Sequence, residues 1–191
     1  MAKVKSPQIQ DLAGEPTLFT AVRRYLQRMG SLTSIAPLML VATFASSPAQ
    51  RLLQSHELWA TVDVCGPKDQ PNTIGIRGSM PGDGNAKDLM YMRLRVQYLD
   101  PTKKEWVDLS KGDSGLKRLG SGALSRQGGL SIGIAPVVGQ PAFTLRGSVS
   151  FQWRRGATVL QSATRLTTAG HTTSLAGADP RGYSAATCKL A

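Results

Sequence analysis

The chain has 191 residues, with 23 Lys and Arg against 12 Asp and Glu, two His and two Cys. A net charge of +11 favours anionic surroundings: nucleic acid, teichoic-type polymers, phospholipid headgroups or acidic sugars. The sequence has no Cys-x-x-Cys, His-x-His or Asp-x-Asp spacing, which excludes the usual zinc and calcium ligand sets.

In chain order, residues 1–22 form a leader carrying Lys3, Lys5, Asp11 and Glu15. A basic patch follows, Arg23, Arg24 and Arg28, then 17 uncharged residues from Met29 to Ala45. Ser47-Pro48-Ala49 then places small residues at alternate positions. Basic, apolar and small-x-small is the order of a secretory signal. The expected cut falls after Ala49, with Ala45 as the second choice. Arg23-Arg24 weakly resembles a twin-arginine signal. Either translation starts further along or the signal has a long leader. The rival readings are an uncleaved anchor and a buried helix. Against an anchor, the run is shorter than the roughly 20 residues a spanning helix needs, and Pro37 interrupts it. Residues 1–49 are therefore read as leader and signal peptide, and 50–191 as a single domain. No later segment is apolar enough to span a membrane as a helix.

Residues 50–191 hold 18 Lys and Arg against 10 Asp and Glu, a net of +8. The basic residues are scattered, with no run longer than two, which reads as a solvated surface rather than a binding stripe. Cys65 and Cys188 lie near the two ends of this region. In an exported protein an even pair is expected to form a disulfide, against the alternative of two buried free thiols.

After residue 57 the dominant period is two. Leu58, Ala60, Val62 and Val64 alternate with Trp59, Thr61, Asp63 and Cys65. Thr73 to Ser79 reads as a strand with Ile74 and Ile76 inward, and Met80 to Gly84 as a loop. LMYMRLRVQYLD, from Leu89, alternates most clearly: Met90, Met92, Leu94, Val96 and Tyr98 on one face, Tyr91, Arg93, Arg95 and Gln97 on the other. Asp100-Pro101 begins a turn, and Glu105 to Leu109 returns as the second strand of a hairpin. Gly112 to Gly115 reads as a turn. Leu116 to Gly122 is left unassigned. Leu130 to Ile134 alternates until Pro136. In FTLRGSVSFQWRRG, Phe143, Leu145, Val149, Phe151 and Trp153 share a face, and Arg146, Ser148, Ser150 and Gln152 the other. Ala157 to Thr167 returns, with Val159 and Ala163 on one side. A last strand, Tyr183 to Leu190, carries Cys188. Seven or eight short strands without βα alternation argue an all-β, antiparallel sandwich of immunoglobulin or fibronectin type. A small closed barrel is the rival. The expected disulfide staples first strand to last, unlike the bridge between central strands of an antibody domain.

Catalytic sets are sparse. His56 lies near the start of the domain. His171, with Asp179 and either Ser174 or Ser184, permits a Ser-His-Asp drawing, but no Gly-x-Ser-x-Gly elbow marks a nucleophile. A loop histidine making a local hydrogen bond is the favoured reading. GDGNAKD, residues 82–88, faintly resembles a calcium loop but lacks its terminal Glu. No metal or other cofactor is expected. The feature with a functional tilt is an exposed arginine face, Arg77, Arg93, Arg95 and Arg146 with Tyr91, against the favoured reading of an ordinary solvated sheet face. Arginine beside an aromatic ring on a flat face can hold phosphate, sulfate or acidic sugar.

The pieces TVDVC at 61, PNTIGIRGSMPG at 71 and AGHTTSLAGADPRGYSAATC at 169 resemble a group of small exported actinobacterial proteins of immunoglobulin-like character. The resemblance covers most of residues 58–190 and implies export, the disulfide and the sandwich. It carries no activity or catalytic residues. The expected protein is thus a non-catalytic, secreted or envelope-associated module. Its expected partner is an envelope polymer or protein. Membrane contact is expected only through an uncleaved signal segment. The alternatives are a binder of anionic polymer, acidic glycan before nucleic acid, and a hydrolase using His171.

Overall fold

The computed structural model describes residues 47–135, 139, 141–172 and 176–190, which fall in one compact unit. The basic-apolar segment, Ala45, Pro136 and Ser174 lie outside the described residues.

The described chain opens with α1 (Pro48–Leu53). Ser47 caps it: its Oγ accepts the Gln50 amide at 3.2 Å, and Gln50 Oε1 accepts the Ser47 amide at 3.0 Å. Pro48 takes the first helical position, where no amide is needed. The expected cut after Ala49 falls inside α1, and cleavage there would remove this cap.

Nine strands follow among the described residues: β1 (Trp59–Cys65), β2 (Thr73–Met80), β3 (Leu89–Leu99), β4 (Trp106–Asp113), β5 (Lys117–Ser121), β6 (Arg126–Gly133), β7 (Phe143–Arg155), β8 (Thr158–Leu166) and β9 (Cys188–Leu190). They build two antiparallel sheets. One has the order β1-β2-β6; the other runs β4-β3-β7-β8, with β5 also on β3 and β9 also on β7. The all-β, two-sheet architecture read from the sequence holds. The strand count exceeds the expected seven or eight because Lys117–Ser121, left unassigned, is a strand. β3 is 11 residues long, roughly 36 Å of extended chain, enough for two partners along one edge. β4 takes one half, with Gln97 opposite Asp108, and β5 the other, with Tyr91 opposite Arg118.

The core lies between the sheets. Met90, Met92, Leu94 and Val96 of β3 and Leu145, Val149, Phe151 and Trp153 of β7 face Ile74, Ile76 and Met80 of β2. The period-two reading of β3 and β7 therefore places the core correctly. The sheets approach closely at Gly147, where an added Cβ would sit 2.6 Å from Thr167 Cγ2 and 3.0 Å from Ile76 Cγ2.

Four local expectations are corrected. β1 is buried on both faces, not one: Trp59, Thr61 and Asp63 are covered as fully as Ala60 and Val62. The cover comes from residues 168–172 and 176–185, whose Thr168 and Asp179 amides donate to the Ala60 and Asp63 carbonyls. β4 runs on to Asp113, because its register against β3 slips between Gln97 and Arg95 and then resumes; the turn begins only at Ser114. In β8 a register shift beside Arg154 separates Val159 from Ala163, so Val159 is exposed while Ala163 packs on the core. β9 is three residues long, not eight. The chain before it makes only isolated bridges to β1, from Asp179 to Val64 and from Ala185 to Val62, then crosses to pair with β7 in the other sheet.

Cys65 and Cys188 are disulfide-bonded, with Cα atoms 5.5 Å apart. Because β1 and β9 belong to different sheets, the bridge ties the sheets together near both ends of the described chain.

Candidate functional site

The five residues expected to form one basic face divide between the two sheets. Arg77 is on β2, where its Nε donates to Asp63 Oδ2 at 2.7 Å. Asp63 is 3 % exposed beneath the cover that includes Asp179, and Arg77 is its counter-ion. A buried carboxylate needs such a partner, so Arg77 is withdrawn from the expected face.

Arg93, Arg95, Arg146 and Tyr91 do share a surface, the outer face of the six-stranded sheet. Strand alternation turns them away from Met92, Leu94, Leu145 and Met90. All three arginines are already engaged. Arg93 grips both carboxylate oxygens of Asp113. The Arg93 guanidinium holds the Asp113 carboxyl down to about 2, against the opposing effect of partial burial. Arg95 Nη1 donates to Asp108 Oδ2 at 3.0 Å, while Gln97 Nε2 donates to Asp108 Oδ1 at 2.7 Å. Arg146 Nε donates to Gln97 Oε1 at 2.8 Å, and its guanidinium lies 4.1 Å from the Trp106 ring centre. Partial burial depresses the Arg146 pKa from its ordinary value. This half of the face is internally compensated.

The other end differs. Tyr91 on β3 sits opposite Arg118 on β5 and Gln152 on β7. The Arg154 guanidinium lies 5.0 Å from the Tyr91 ring centre, and its Nε donates to Gln152 Oε1 at 2.8 Å. Neither Arg118 nor Arg154 forms an ion pair among the described residues. Both escaped the sequence reading. Arg154 follows Trp153 in strict alternation, so its parity alone places it outside. Arg118 lay in the unassigned segment, and only its pairing with Tyr91 brings it to this face.

His171 belongs to the cover over β1. Its ring stacks on Trp59, centroids 4.6 Å apart and planes within 15°. Nε2 lies 3.1 Å from Thr168 Oγ1, and its backbone amide donates to Ser184 Oγ at 3.0 Å. Ser184 Oγ is in turn 2.8 Å from Thr61 Oγ1. The histidine ring and the Ser184 hydroxyl thus serve separate local hydrogen bonds, and Asp179 meets Asp63 through its backbone. Burial lowers the His171 pKa. The neutral ring is favoured in the fold, so below about pH 6.5 the unfolded chain binds more protons. Stability from this group is complete above that pH and is lost as pH falls through the folded value. In the His171→Phe variant, which keeps a ring on Trp59 and cannot titrate, urea midpoints measured between about pH 5 and 7.5 are expected to slope less than in the parent. Equal slopes would discard this account.

In the 82–88 loop, Asp88 gives both oxygens to Arg155, at 2.6 and 2.8 Å. Asp83 Oδ1 accepts the Asn85 amide at 2.9 Å. Arg155 holds the Asp88 carboxyl below its ordinary range, while burial pushes Asp83 up. Among the described residues no three His, Cys, Asp or Glu side chains gather around a common point.

Compared with known proteins, the chain matches no family model, and no curated protein matches it significantly.

Proposed function

We propose that this is an exported β-sandwich of immunoglobulin-like character, acting at the cell envelope as a non-catalytic binding or structural module. The observation that carries the reading is the Cys65–Cys188 bridge. Disulfides persist in oxidising compartments and are rare in the cytosol. The basic-apolar-small order of residues 23–49 supports the same compartment, as does the resemblance to exported actinobacterial proteins. No described helix is long and apolar enough to cross a membrane. A hydrolase built on His171 is the weaker reading, since the ring and the Ser184 hydroxyl are engaged in separate local bonds.

Intact mass of the protein recovered from medium, envelope and cytosol, with and without reduction and thiol labelling, tests the proposal. A species outside the cytoplasm that starts near Gln50 and takes up label only after reduction is expected. A full-length cytosolic species with two reactive thiols would overturn it.

A further inference from the structure

We infer that the end of the outer sheet face formed by Tyr91, Arg118, Gln152 and Arg154 binds a carboxylate-bearing polysaccharide. The inference rests on the exported-module reading and supplies that module with a ligand class.

The first argument is charge. On this face Asp113 and Asp108 neutralise Arg93 and Arg95. Arg146 is half-buried, lying over the Trp106 ring and bonded to Gln97. Apart from Lys189, which lies opposite Thr144 at the other end, the remaining positive charge of this face sits at Arg118 and Arg154. They flank one half-buried ring, Tyr91, and Arg118 is exposed.

The second argument is pre-organisation. Gln152 Oε1 accepts from Arg154 Nε and Nη2, and the Tyr91 ring lies beneath the guanidinium. The arginine is held against the sheet before any ligand arrives. Its Nη1 and the Gln152 amide nitrogen have no hydrogen-bond partner among the described residues, so both remain available as donors. An arginine whose rotamer is already fixed loses less freedom on binding.

The third argument selects the ligand. Arg118, Tyr91 and Gln152 form a row across β5, β3 and β7, roughly 10 Å long at the usual strand spacing. Beside it lie the Ser150 and Thr164 hydroxyls, 3.2 Å apart, which can exchange hydrogen bonds with sugar hydroxyls. A planar carboxylate matches the guanidinium fork. A single-stranded nucleic acid would want successive rings to stack its bases. Here Trp106 lies under Arg146 and Tyr91 under Arg154, so the described residues of this face offer no row of open rings. An acidic glycan needs no open ring, only two cations and a field of hydroxyl and amide groups.

The test is equilibrium binding of the full-length protein to polygalacturonate, with fully methyl-esterified galacturonan, inorganic polyphosphate and single-stranded DNA as comparators. Polygalacturonate is expected to bind, weakening as salt rises, and more tightly than the other three. The Arg118→Gln/Arg154→Gln double variant should lose about tenfold or more, as for loss of charge-assisted hydrogen bonds. Arg154→Lys, which keeps the charge and removes the fork, should lose part of that. The Arg93→Gln/Asp113→Asn double variant, which removes a compensated pair and leaves the net charge unchanged, should bind as the parent does. Equal binding by parent and double variant would overturn the site. Tighter binding of DNA or polyphosphate would overturn the ligand class. If no polymer binds to a protein that the mass measurement finds exported and oxidised, the inference falls while the exported-module reading stands.

Discussion

The Cys65→Ala/Cys188→Ala double variant is expected to lose about 5 kcal/mol of unfolding free energy, from the loop-entropy relation for a ring of this size. The bridge closes 123 residues, nearly the whole described chain, so it restricts the unfolded ensemble about as much as one crosslink can. A domain of this size has a total stability of about 5–15 kcal/mol, and the variant should stand at the edge of folding. The native structure adds a local reason. β9 is three residues long and pairs only with Phe143, Thr144 and Leu145 of β7. Without the covalent tie its Leu190 and Cys188 side chains, both buried, are held by that short ladder alone. Urea unfolding of parent and variant checks the global effect. Amide exchange at residues 188–190 should rise before the rest of β7 is exposed. A loss below about 2 kcal/mol would mean that the unfolded chain is already compact enough to make the crosslink redundant.

Where one face meets the core and the other meets water, the sequence was legible. Met90 to Val96 and Leu145 to Trp153 alternate because the second sheet covers one side only, and these strands carry most of the core. The same rule fails at β1. Its second face is covered by a segment rich in Ala, Ser, Thr and Gly, which reads as loop, and whose hydrogen bonds to Ala60, Val62 and Asp63 leave no period. Irregular pairing hid other features. The slip in β4 brings Asp113 beside Arg93, 20 residues away, and a plain hairpin reading would not have joined them. The shift in β8 reverses the face of Val159 relative to Ala163. Composition counts charges but not partners. The arginines expected to be free are engaged by carboxylates or by Gln97 and Trp106, while Arg154 was legible from parity and Arg118 only from its register against Tyr91.

Trp153→Ala is expected to cost about 3–5 kcal/mol through the cavity it leaves. A further roughly 1–3 kcal/mol follows from the carbonyl it abandons. Trp153 is fully buried in β7, paired with Met90 and Gln161, and its Nε1 donates to the Pro81 carbonyl at 2.9 Å. That bond ties the loop after β2 to the middle of the opposite sheet. Trp153→Phe separates the two contributions: it keeps most of the ring contact and leaves the Pro81 oxygen unpaired, so a loss of about 1–3 kcal/mol is expected. Denaturant midpoints of the parent and both variants give the comparison. If Phe cost as much as Ala, the hydrogen bond rather than the packing would dominate. If Phe cost nothing, water would be satisfying the Pro81 carbonyl. The parity that buries Trp153 also turns Gln152 and Arg154 outward beside Tyr91. A slip of β7 by one residue would exchange their faces, so the seat of one tryptophan fixes both the core and the basic end of the outer face.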